Sequence, residues 1–148
     1  MTASTTTPVR PDTVPDDGGR RRIYSALTGV AALAVLLQGL WAGLFLQNDG
    51  ERDAASSWID VHALGGEVAI VFAALAAAWA IFRLRTRKDL LYGAIVLVVL
   101  LILEAYLGGL IRDDGQDSLT PVHIPLAMLL MGVSVWLPLR AARAATRR

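Results

Sequence analysis

Four long apolar runs dominate the chain, at Ile23–Leu46, Trp58–Phe82, Leu90–Ile111 and Val122–Leu139. Each is about 18 to 25 residues long, and a helix rising about 1.5 Å per residue then crosses about 30 Å of hydrocarbon. Polar breaks separate them: NDGERDAASS after the first, RLRTRKD after the second and RDDGQDSLTP after the third. Breaks this short leave only antiparallel neighbours. The pattern predicts an all-α fold, an integral membrane four-helix bundle over residues 23–142 that runs up-down-up-down. Residues 1–22 hold Thr, Pro, Asp and Gly with almost no apolar surface to offset ordering entropy, which predicts a disordered tail. A long polar stretch with acidic residues ahead of the apolar run, and no small-residue cleavage site after it, set this segment apart from a signal peptide. Residues 143–148 form a second, basic tail.

Composition agrees with the pattern. A hydrophobic content of 55% and a mean hydropathy of +0.51 are too high for a soluble domain of 148 residues, so lipid is the expected surroundings. The absence of cysteine removes disulfides, thiolate metal sites, iron–sulfur ligation, covalent c-type haem attachment and thiol nucleophiles. No P-loop, GxGxxG or GxSxG motif is present, and no nucleic-acid partner is expected.

Charge sets the orientation. Arg10, Arg20, Arg21 and Arg22 precede the first run, Arg83, Arg85, Arg87 and Lys88 fill the second break, and Arg140, Arg143, Arg147 and Arg148 close the chain. Of 14 Lys plus Arg, only Arg52 and Arg112 lie in the other two breaks, which carry Asp49, Glu51, Asp53, Asp113, Asp114 and Asp117 instead. By the positive-inside rule both termini and the middle break are expected in the cytoplasm. Trp41, Trp58 and Tyr106 fit an outer aromatic belt, although Trp41 and Tyr106 lie about a turn deeper than its centre.

The chain also reads as two duplicated helical hairpins. Aligning Gln38-Gly39-Leu40-Trp41-Ala42-Gly43-Leu44 with Glu104-Ala105-Tyr106-Leu107-Gly108-Gly109-Leu110 sets polar residue over polar residue and glycine over glycine. Each segment is followed by an acidic break and then by a run that opens on a histidine.

Those histidines, His62 and His123, are the chain's only two. Both sit in runs crossing from outside to inside, within roughly 6 Å of the outer boundary, and a two-fold relation between hairpins would set their helices across the bundle. That arrangement suits two axial ligands on one haem. Gly66 and Ala127, four residues after each histidine, leave room one turn deeper, and Gly65, Gly43, Gly108 and Gly109 add clearance. The alternatives are close packing of small residues, as in Gly39-x-x-x-Gly43, and histidines that merely meet water or headgroups.

Gln38, Glu67 and Glu104 are the other polar groups at membrane depth, where an ionisable side chain costs at least about 2.5 kcal/mol. Glu67 and Glu104 are therefore expected to face the interior. They would relay protons, meet a quinone hydroxyl or hold a haem edge, or serve only as interhelical hydrogen-bond partners. Asp60 would orient an imidazole or be solvated. Arg52 and Arg112 would pair with haem propionates or keep the loops soluble.

Leu103-Glu104-Ala105-Tyr106-Leu107-Gly108-Gly109-Leu110-Ile111-Arg112, followed by Val122-His123-Ile124-Pro125-Leu126-Ala127, resembles the third and fourth helices of one half of the haem A synthase family. His62 and the glycines after it extend the likeness, which covers most of the chain beyond the tail. The chain also resembles small actinobacterial four-helix membrane proteins built on the same plan. The resemblance implies a bacterial plasma membrane protein with one b-type haem on His62 and His123, near Gln38, Gly66, Glu104, Gly109, Arg112 and Ala127. Departures are visible too: the family's enzyme has two such halves where this sequence has one, Ala63 stands where an arginine often follows the histidine, and the loop cysteines are absent. The expected function is haem b binding in electron transfer, haem handling or oxidase assembly, with a quinone or respiratory-chain protein as partner. Two copies would form a homodimer that restores two bundles. The alternative is a small membrane subunit or scaffold without cofactor.

Overall fold

The computed structural model describes residues 17–47 and 52–143. Among these the chain is all-α: α1 (Asp17–Leu46), α2 (Arg52–Arg83), α3 (Lys88–Asp113) and α4 (Thr120–Arg143), with a short 3-10 turn at Asp117–Leu119 ahead of α4. All four helices are long and apolar enough to cross a membrane, and the chain is a multi-pass membrane protein. Each helix packs on the next and α4 closes on α1, which makes a square bundle with α2 and α4 on one diagonal. One end gathers the arginines of α1, the α2–α3 loop and the close of α4; the other gathers the end of α1, the start of α2 and the acidic α3–α4 loop.

The helices outrun their apolar cores. α1 begins at Asp17, so residues 17–22 belong to the helix, not to the expected tail, and residues 1–16 lie outside the described part. Tertiary contacts account for the extension: Arg21 is buried, and the Arg20 carbonyl accepts a hydrogen bond from Trp79 Nε1 of α2 at 3.0 Å. α2 likewise starts at Arg52, ahead of the predicted Trp58; Ala55 is buried and Trp58 stacks on Trp41 of α1 at 5.9 Å. The second expected tail starts at Arg143, which closes α4, and residues 144–148 are outside the described part.

Each helix turns one stripe of residues inward at heptad-like spacing. The stripes are Tyr24, Thr28, Ala31 and Val35 on α1; Ala80, Ala76, Ala73 and Ala69 on α2; Leu90, Ala94, Leu97 and Leu101 on α3; and Ala141, Leu137, Ser134 and Leu130 on α4. Alanine on α2 and α1 lets the backbones approach closely, the route by which helices associate where lipid removes any hydrophobic drive between them. Gly93 does the same for α3: a Cβ there would sit 2.5 Å from Leu137 Cδ2 of α4. Polar pins reinforce the contact. Tyr24 donates its hydroxyl to the Leu90 carbonyl at 2.8 Å, and Asp89 accepts hydrogen bonds from Arg87 and, at 3.0 Å, from Arg140 Nε of α4.

Burial stops short of the acidic end. Within 36–47, 56–68 and 105–129 no described residue is fully buried, so the helices do not close on one another there. The bundle is sealed at its basic end and open over roughly its last third.

Candidate functional site

Followed into the open third, every inward stripe ends on a polar or glycine position. On α1 the next turn after Val35 is Gln38; on α3 the turn after Leu101 is Glu104 and then Gly108. On α2 the stripe passes Gly66 and Gly65 to His62, and on α4 it passes Ala127 to His123. The phase that buries alanine and leucine below thus carries these residues inward above.

The two hairpins repeat one contact. In the first, His62 Nδ1 of α2 lies 3.2 Å from the Gln38 carbonyl oxygen of α1. In the second, His123 Nδ1 of α4 lies 2.6 Å from Glu104 Oε2 of α3, close enough to pair although the angles miss those of a well-aligned hydrogen bond. Gln38 and Glu104 are the residues that the hairpin repeat superimposes. A carbonyl oxygen only accepts, so the His62 contact is made with the proton on Nδ1 and the lone pair on Nε2. Neither Nε2 has a hydrogen-bond partner among the described residues. His62 also lies within electrostatic reach of His123 and Glu104 across the bundle.

The surroundings add detail that residue types alone did not reveal. Phe45 meets the His62 ring edge-on, with centroids 5.6 Å apart and planes at 88°, and fixes its tilt. Gln38 serves through its backbone, while its side-chain amide donates back to the Ala34 carbonyl at 3.3 Å and fills the space beside Gly65. A helical carbonyl carries no signature in sequence. Gly108 lies under the His123 ring, where an added Cβ would make ordinary contact at 3.5 Å. Gly66 and Gly109 have nothing within 4 Å of a Cβ position and so border open space, and Ala127 of α4 is half-buried.

Two expectations are revised, on Glu67 and on the Gly39–Gly43 motif. Glu104 is buried, with 7% of its surface exposed, but Glu67 is exposed and does not face the interior. At about 100° per residue it stands roughly 140° around α2 from His62. Arg112 lies exposed at the rim and donates to Asp113 Oδ1 at 2.7 Å, within electrostatic reach of Asp60 and Glu67. Gly39 and Gly43 are exposed on α1, with nothing within 4 Å of their Cβ positions, and make no helix contact inside the bundle.

The donor set suits a porphyrin better than a bare ion. Among the described residues no three His, Asp or Glu side chains gather into a cluster. A protein-held zinc takes three or four such ligands, whereas porphyrin iron, already held by four ring nitrogens, needs at most two from the protein. Two histidines on diagonal helices, in an unsealed third of the bundle bordered by glycine, fit the second case. Compared with known proteins, the chain matches no protein-family profile, no curated protein and no solved structure.

Proposed function

We propose that the chain binds one haem b in the open third of the bundle, with His62 and His123 as axial ligands. The observation that carries this reading is the repeated Nδ1 contact, which leaves the Nε2 of one histidine on each diagonal helix without a partner among the described residues. Such an outer partner orients an imidazole and raises its basicity toward a metal. The haem A synthase-like segments around His123 and His62 point the same way. Bound haem supplies a one-electron couple, and with both axial positions filled by protein it has no open site for oxygen. The role is therefore electron transfer, haem handling or oxidase assembly.

The acidic end faces outward and both termini lie in the cytoplasm of a bacterial plasma membrane, since twelve of the 14 Lys and Arg fall in the terminal segments and the second break of the sequence. Arg112 at the rim stands where propionates would emerge. A quinone or a respiratory-chain protein is the electron partner, and a homodimer would use the exposed Gly39 and Gly43 of α1.

The test is a reduced-minus-oxidised spectrum and pyridine haemochrome assay on detergent-purified protein, beside His62→Ala and His123→Ala. Near one b-type haem per chain, lost in both variants, is the expected result. Protein still colourless after haem is supplied overturns the reading and leaves a membrane subunit or scaffold; loss in one variant alone overturns the paired ligation.

A further inference from the structure

At the opposite end from the histidines, the lipid-facing surface between α2 and α3 holds a shallow groove of about 280 Å³. Ala74, Ala77, Ala78 and Ile81 form its α2 wall, and Ile95 and Val99 face them from α3. The groove exists because the α2 wall is mostly alanine: methyl side chains leave a depth that leucine would fill. Its apolar lining suits a hydrocarbon chain.

Both walls run to a cation. Four residues after Ile81, in the α2–α3 loop, is Arg85, whose Nε donates to the Ile81 carbonyl at 2.8 Å, so its side chain folds back onto the end of α2 that carries the groove. On α3, Lys88 lies about two turns before Ile95, with its Nζ 6.0 Å from the centre of the exposed Tyr92 ring. The nearest carboxylate, Asp89, is already held by Arg87 and Arg140. Among the described residues none pairs with Arg85 or Lys88. An apolar slot thus ends near two cations that have no acidic partner among the described residues.

We infer that this groove binds an anionic phospholipid, with one acyl chain along the alanine wall and the phosphate oxygens at Arg85 and Lys88. The guanidinium offers a fork of donors to phosphate, and Lys88 a second point charge. A zwitterionic lipid brings its own ammonium group against these cations and is disfavoured by it. Basic residues beside a membrane span attract the anionic leaflet in general; the groove adds a fixed place for the chain.

Native mass spectrometry of the full chain in mild detergent tests this, with phosphatidylglycerol and phosphatidylcholine of identical chains as probes. The variants are Arg85→Gln with Lys88→Gln, and Ala74→Phe with Ala78→Phe, all at exposed positions. Phosphatidylglycerol is expected to stay bound where phosphatidylcholine is stripped, and each double variant to weaken it about tenfold. Inorganic phosphate at the same concentration is expected not to displace it; displacement would overturn the acyl-chain part. Equal retention of both lipids, or unchanged binding in the charge variant, overturns the site. Should the phenylalanine variant fail to insert, by circular dichroism, the charge variant alone decides.

Discussion

Glu104 is the residue on which the site's asymmetry turns. It continues the stripe Leu90, Ala94, Leu97, Leu101 that buries α3, yet it brings a carboxyl where the matching Gln38 brings a backbone carbonyl. Glutamine at this position keeps an oxygen that can accept from His123 Nδ1, and alanine does not. Glu104→Ala is therefore expected to weaken haem binding about 10- to 100-fold and Glu104→Gln much less, read by haem titration of the apoprotein. A packing change elsewhere gives the control. Gly93→Ala would drive its methyl into the buried Leu137, costing about 1 to 3 kcal/mol in a denaturant melt while leaving haem affinity per folded molecule intact. Much of this was readable from the chain: the matched depth of His62 and His123, and the register of Gln38 with Glu104. What stayed hidden was the backbone oxygen of Gln38 and the ring of Phe45, which tertiary placement alone aims at His62. Glu67 was misread because its depth was weighed without its helical phase.

At the scale of the helix, apolar runs gave the number and order of the spans because lipid demands about 20 such residues for each. They understated the lengths of α1 and α2, since nothing in hydropathy marks a polar turn kept helical by a neighbour. The Trp79 bond to the Arg20 carbonyl and the stack of Trp41 on Trp58 are such supports, made between helices and so absent from any single run. The Tyr24 hydroxyl is the firmest tie between the start of α1 and the start of α3. Tyr24→Phe removes one buried hydrogen bond without changing the ring. A loss of about 1 kcal/mol is expected, measured by unfolding in mixed detergent micelles. A loss of the size of a large cavity would mean that the ring packing had been disturbed as well.

Over the whole molecule, packing tapers from the basic end, where four stripes meet, to the acidic end, where none is fully covered. Local opening should follow the same gradient. Hydrogen exchange of the detergent-solubilised protein is expected to be slow in 69–80 and 90–101 and faster in 56–66 and 119–127. Added haem is expected to slow the second pair selectively; uniform exchange along α2 would contradict the taper. The taper also separates two things that many cofactor proteins join. The alanine seams, the Tyr24 tie and the Asp89 clamp all lie away from the histidines, so the buried packing that holds the helices together does not wait on what sits between them at the open end. On the proposed haem reading, such a chain would be synthesised, inserted and accumulated as an intact apoprotein, then charged and emptied in place, so that its abundance in the membrane and its active fraction would be independent quantities, the second set by cofactor supply.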